Sequence, residues 1–285
     1  MRSPVSVVLV LVGVAGCGEP PPPPCAAAVS MLTYNVAGLP QGLNADQFPE
    51  RNIPLISPKL NAYNLVVVQE DFSYTQELRE DLTHPFQSFP LEHTERFVND
   101  GLNAFSAFAF DEELERVRWV DCFGSTSNAS DCLANKGFAV SVHDVGCADG
   151  TALPVINLHA EAGGSEEDVS ARASGIEQLV AFIADRFAEG PLIVAGDTNL
   201  HGFDPDDEPV LERLLSGAGL TDVCRSLSCG DEQIDRILVR SGDALAVTPT
   251  SWRIADEFVD PDGVDLSDHK AIHVELELSG EPVTP

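Results

Sequence analysis

Apolar runs of strand length that stop abruptly at polar residues constrain this chain most. The clearest is Leu192 to Leu200, Leu-Ile-Val-Ala-Gly-Asp-Thr-Asn-Leu, where an aliphatic run gives way to Gly196, Asp197, Thr198 and Asn199. Such a run predicts a strand that delivers polar side chains to one edge of a sheet. Asp197 and Asn199 are two apart, so on extended backbone they point the same way, toward one metal ion, phosphate or water. The same four residues suit a strand-ending turn in which Asp and Asn cap their own backbone. The segment alone leaves both readings open, and its companions decide.

Those companions recur along the chain. Val29 to Val36 ends with Asn35, just before a Gly38-Leu39-Pro40 turn, and Asn64 to Gln69 runs into Glu70 and Asp71. Val155 to His159 puts Asn157 and His159 on one side of a strand, although a lone histidine is more often structural than catalytic. Gln233 to Val239 carries Asp235 inside an apolar run, where a charge requires a partner. Ser267-Asp268-His269 precedes a terminal strand over Ala271 to Leu278. Further strands are expected at Ala104 to Phe110, Arg116 to Cys122, Phe138 to Val142 and Leu245 to Ile254.

Helical spacing of Val169, Ile176, Leu179, Val180, Ile183 and Phe187 predicts a sheet-covering helix over 169–187. Tyr74 to Leu82 and Pro209 to Leu215 also read as helices, whereas Pro54 and Pro58 allow only short turns between Asn52 and Ala62. Phe86, Phe89, Phe97, Phe105, Phe108 and Phe110 read as core. Two cations have open roles: Lys136 meets a substrate phosphate or solvent, and Arg172 reaches the site or pairs with a carboxylate. The acidic run Asp204 to Glu208 lacks the spacing of a calcium loop and reads as a solvated loop capping the next helix. With 44% hydrophobic residues over 285 and no internal repeat, the pattern predicts an α/β fold with one large domain.

The N-terminus carries a different signal. An apolar stretch from Val5 to Val14 is too short for a permanent membrane span and predicts a signal peptide over 1–16. Val14-Ala15-Gly16-Cys17 resembles the lipobox of bacterial lipoproteins, which implies a lipidated Cys17, followed over 17–28 by a linker stiffened by the Pro20 to Pro24 run. The expected location is extracytoplasmic, anchored to a bacterial membrane or secreted. Setting Cys17 aside leaves six of the seven cysteines, and short loops favour Cys122 with Cys132 and Cys224 with Cys229, leaving Cys25 with Cys147. A net charge of −30 repels nucleic acid phosphates and favours divalent cations.

Two histidines, several carboxylates and asparagines at strand ends, with no Ser or Cys nucleophile among them, suit attack by metal-assisted water. In this order the motifs resemble the endonuclease/exonuclease/phosphatase superfamily: Leu32-Thr33-Tyr34-Asn35, Val68-Gln69-Glu70, Asn157-Leu158-His159, Gly196-Asp197-Thr198-Asn199, Ile234-Asp235-Arg236-Ile237 and Ser267-Asp268-His269. The resemblance implies a four-layer α/β sandwich of two mixed sheets flanked by helices over 29–280, with 281–285 a tail. It also implies magnesium, with manganese or calcium as substitutes, at Asn35 and Glu70 with Asp268 nearby. Asp197 and Asn199 would position water and phosphate, His159 would stabilise or protonate phosphate oxygens, and His269 would be the acid or base oriented by Asp235.

The implied activity is phosphodiester hydrolysis. Membrane anchoring, acidity and Asn99-Asp100-Gly101-Leu102, which is similar to sphingomyelinase-like members, favour a lipid such as sphingomyelin, handled by a monomer. Phe203, Trp252 and Phe258 are the candidate lipid contacts. An extracytoplasmic nuclease and a non-catalytic binding lipoprotein are the competing readings.

Overall fold

The apolar runs become strands because β-branched and aliphatic residues fit a pleated surface covered on both faces. The computed structural model describes residues 25–91, 98–124, 131–146 and 152–280. The expected signal peptide, Cys17, the proline run, Phe97, Cys147 and the tail lie outside them. One sheet has the order β11 (Ala246–Ile254), β12 (Ile272–Gly280), β1 (Cys25–Asn35), β2 (Leu65–Gln69), β4 (Asn103–Ser106), β3 (Phe86–Gln87). The other runs β5 (Glu115–Arg118), β6 (Gly137–Asp144), β7 (Ala152–His159), β8 (Leu192–Asp197), β10 (Asp235–Arg240), β9 (Thr221–Asp222).

Each sheet holds one parallel pair among antiparallel neighbours, β1 with β2 and β7 with β8. Between the sheets lies an aliphatic core in which Val29, Met31, Leu65 and Val67 face Val155, Ile193, Ala195 and Ile237. Helices α3 (Glu166–Arg186) and α4 (Glu208–Ala218) cover the outer face of the second sheet through Ile176, Leu179, Ile183, Leu211 and Leu214. Helix α1 (Pro49–Ile56), a 3-10 turn over Ser57–Ala62 and α2 (Thr75–Arg79) cover the first through Ile53, Ile56, Leu60 and Leu78. The four-layer α/β sandwich is therefore the fold. Each of these fully buried Val, Leu, Ile and Met side chains contributes about 1.5–3 kcal/mol of transfer free energy.

Boundaries shift where polar chemistry overrides periodicity. Helix α3 begins three residues earlier than its apolar pattern, because Ser165 and Asp168 form a reciprocal capping box. The strand expected to reach Phe110 stops at Ser106, whose hydroxyl accepts the Phe108 N–H and turns the chain. Strands β3 and β9 and helix α5 (Val223–Leu227) are too short to show a period. Phe105 is core as expected, but Phe89 is 61% exposed. Disulfides join Cys122 to Cys132 and Cys224 to Cys229; the third pairing rests on side chains outside the described residues. Among those residues, no helix is long and apolar enough to cross a membrane.

Candidate active site

Register brings the candidate residues together. Asn35 ends β1 opposite Gln69, and Glu70 follows immediately. In the facing sheet Asp197 is the register partner of both His159 and Asp235, because β8 lies between β7 and β10. Strand β8 can approach so closely because residue 196 is glycine. A Cβ there would lie 2.1 Å from the Leu158 carbonyl oxygen, and its φ is 135°.

Asn35 is the junction between the sheets. Its Nδ2 donates to Glu70 Oε1 and to Asp197 Oδ2, each at 3.1 Å, and lies 3.4 Å from His269 Nε2. Its Oδ1 accepts the Ala37 N–H at 3.1 Å, and Ser267 Oγ donates to its backbone carbonyl at 2.8 Å. His159 Nε2 lies 3.3 Å from Asp197 Oδ2 and 3.8 Å from Glu70 Oε1. Burial, the largest influence, works to raise Asp197. The hydrogen bond from His159, with the charges of His159, His269 and Lys136, outweighs it and holds the carboxylate below its ordinary range.

His269 Nδ1 faces Asp235 Oδ2 at 2.8 Å, supplying the partner implied by the resemblance. Burial opposes a charge on His269, but Asp235, then Asp197 and Glu70, lift the imidazole to about 10. Asp235 is itself raised, chiefly by burial and against the pull of His269. With Nδ1 committed to Asp235, Nε2 faces the point where Asn35 and Asp197 converge.

The turn and site readings of Gly-Asp-Thr-Asn are both realised. Asp197 Oδ1 accepts the Asn199 N–H at 3.0 Å while Oδ2 serves the cluster. Asn199 departs from the extended geometry assumed for it: its φ is 50°, and its Nδ2 donates to the Ala160 carbonyl at 3.2 Å. Lys136 is buried and not solvated, and its Nζ donates to the same carbonyl at 3.3 Å. Arg172 does not reach the site. Its guanidinium is consumed by Asp207 at 2.6 and 3.0 Å and by the carbonyls of Glu161 and Gly163. Asp268 is exposed and shares a small cleft with Glu70, Ala37 and Pro40.

This donor set fits a hard divalent cation. Glu70, Asp197, Asp235 and Asp268 bring carboxylates to one strand-end cluster, and atoms of Asp197, Asp235 and His269 lie within 4.8 Å of one another. Glu70 is partly open and Asp268 exposed, which suits an ion that keeps several waters.

Sequence reasoning missed the supports. Trp119 Nε1 donates to the His159 carbonyl at 2.8 Å, and Gln69 Nε2 reaches across the sheets to Asn157 Oδ1 at 2.7 Å. Gln69 ends an apolar run directly before Glu70, a signal that was available. Of the candidate lipid contacts, Phe258 is buried against Tyr34, Trp252 is half-buried, and Phe203 is 85% exposed.

No protein-family model matches the chain. It is 31% identical over 262 residues to the sphingomyelinase of Mycobacterium tuberculosis, an alignment covering 84% of this chain and 51% of that protein. The chain thus spans about half the length of the curated relatives it matches. A Staphylococcus aureus beta toxin variant with bound magnesium ions shares the fold with TM-score 0.59, 14% identity, and coverage of 90% of this chain and 100% of that one. The TDP2 protein of D. rerio, complexed with single-strand DNA product, does so at 0.61, 19% identity, 88% and 99%. At these identities the structures speak for the fold alone, and the mycobacterial relative is a likeness in sequence to half of a longer protein. The chain is similar to a sphingomyelinase over about half of that protein's length, and its fold is that of the endonuclease/exonuclease/phosphatase structures.

Proposed function

We propose that this chain is a magnesium-dependent phosphodiesterase that hydrolyses sphingomyelin to phosphocholine and ceramide. The observation that carries the reading is the convergence of Asn35, Glu70, His159, Asp197, Asp235 and His269 between two sheets, in a chain 31% identical to a sphingomyelinase. Glu70, with Asn35 and Asp268 beside it, would hold the cation, which when bound neutralises nonbridging phosphate oxygens.

The remaining work falls to the chain's own groups. Asp197, held ionised, accepts a hydrogen bond from the attacking water and aligns it. His159 faces the phosphate oxygens, and Asn199 braces the turn beside them. His269 moves the proton at Nε2 between the cleft and the reacting oxygens, while Asp235 fixes its tautomer and orientation. Water oxygen bonds to phosphorus as the bond from phosphorus to the ceramide oxygen breaks, and that oxygen takes up a proton.

The lipid surface as partner is supported by the exposed Phe203, four residues beyond Asn199, and by a charge of −30 that repels polyanions. Anchoring through Cys17 outside the cytoplasm of a bacterium belongs to the same reading. A nuclease is the second reading, favoured by the likeness to a fold neighbour holding DNA. The test is magnesium-dependent phosphocholine release from sphingomyelin vesicles beside plasmid cleavage, with His269→Ala as control. Lipid turnover lost in the variant supports the proposal; plasmid cleavage alone replaces it with the nuclease, and inactivity on both refutes it.

A further inference from the structure

Glu70 has φ 57°, in the left-handed region that a bulky residue seldom adopts. Two loops hold it there. On one side Gly38 donates its N–H to the Glu70 carbonyl at 3.0 Å, and a Cβ on Gly38 would lie 2.4 Å from that oxygen. On the other, the N–H of Asp71 donates to the Gly101 carbonyl at 3.0 Å. Gly101 has φ 66°, and a Cβ there would lie 2.9 Å from Glu70 Cα and N.

The Gly101 loop is pinned in turn. Asn99 Oδ1 accepts the Gly101 N–H at 2.9 Å and Asp100 Oδ1 accepts the Leu102 N–H at 3.2 Å. Asp100 Oδ2 receives a 2.6 Å bond from Arg116, which also donates to the carbonyls of Leu102 and Phe89 at 2.7 Å each. The Asp100 and Arg116 side chains are 6% and 13% exposed. A buried ion pair contributes little net stability but fixes geometry firmly, because each partner alone is strongly disfavoured. These bonds go to the backbone that backs Glu70 and leave the catalytic side chains untouched.

We propose that Asp100 and Arg116 are positioning residues for Glu70, acting through the backbone of Gly101 to hold that carboxylate in its cation-binding pose. This rests on the reading of Glu70 as the cation ligand. Supports behind a ligand commonly set affinity by tenfold or more. A strained ligand backbone makes the dependence direct, since a relaxed Glu70 would swing its carboxylate away.

The experiment is calorimetric titration of magnesium into the full chain, in the wild type, D100N, G101A and, as a stability control, L211A. D100N keeps an acceptor for Leu102 and loses the charge that holds Arg116. We expect D100N and G101A to bind magnesium about tenfold more weakly with unchanged circular dichroism, and excess magnesium to restore their turnover. L211A, which empties a buried position on α4, loses thermal stability and keeps wild-type affinity. Wild-type affinity in D100N overturns the proposal, and D100N decides alone should G101A not fold. An equal affinity loss in L211A also overturns it, by making the effect global. Absence of magnesium uptake by the wild type refutes the cation reading itself, and is seen before any substitution is compared.

Discussion

Replacing Asp235 with Asn removes one charge from the centre of the site and keeps the shape of the side chain. In the folded chain His269 holds its proton up to about 10, against an ordinary 6.5. That difference, at about 1.4 kcal/mol per pH unit, is an upper bound of about 5 kcal/mol. The sign follows from linkage: a proton bound more tightly in the folded chain stabilises it fully below pH 6.5, and the contribution disappears as pH rises through 10. Asp235, raised by burial, changes its own contribution on the acid side, so the span from pH 7 to 10 isolates the imidazole. In D235N burial and the weaker attractions of Asp197 and Glu70 remain while the largest attraction is gone, so His269 releases its proton at a lower pH than in the wild type and its contribution across that span shrinks. Urea melts in cation-free buffer at pH 7 and pH 10 measure the difference. The wild type should lose several kcal/mol more than D235N between the two. Equal losses would refute the assignment of Asp235 as the source of the imidazole's charge. Turnover of D235N should also fall by about 10²–10⁴-fold, the usual worth of a proton-transfer group.

His143 acts in the opposite sense, away from the site. Burial lowers it from 6.5 to about 4, so the unfolded chain takes up a proton that the folded one refuses, and stability falls with pH between those values by about 3 kcal/mol. Urea melts of His143→Gln should show a flatter dependence between pH 7 and 4. Gly196→Ala forces a methyl group to within 2.1 Å of a backbone oxygen at φ 135°. The strain of about 2–5 kcal/mol should lower the melting temperature by about 5–15 °C and displace the adjacent Asp197, reducing turnover of the folded fraction.

The ends of β1, β2, β7, β8 and β10 were legible because each is an aliphatic run closed by a polar residue, and burial on both faces demands that pattern. Spacing alone could not show that these ends meet. That Asp235 faces His269, 34 positions away, followed from the family resemblance and is realised at 2.8 Å. Arg172 was illegible because its role depends on Asp207, brought beside it by the packing of α3 against α4. Asn199 was misread in geometry because an i, i+2 rule assumes extended backbone, while its φ is 50°. The Glu70 brace shows in sequence only as Gly38 and Gly101, whose reason appears when a Cβ is placed against the Glu70 backbone.

The site also explains an expensive feature of the core beneath it. Apolar contact between two sheets is non-directional, so it resists separation far better than sliding. Residues drawn from both sheets must nevertheless meet to within tenths of an ångström, as Asn35 and Asp197 do. Directional bonds supply what the aliphatic core lacks. Gln69 Nε2 crosses to Asn157 Oδ1 at 2.7 Å, while Asn157 Nδ2 returns to the Val68 carbonyl at 2.8 Å. The pair lies one residue before Glu70 and two before His159, so any sliding of the sheets breaks it before the site is displaced. Burying amides is costly when a partner is absent, and Gln69 Oε1 has none among the described residues. A cost accepted directly below the site is the expected signature of a bond retained for register, with stability supplied by the aliphatic residues around it.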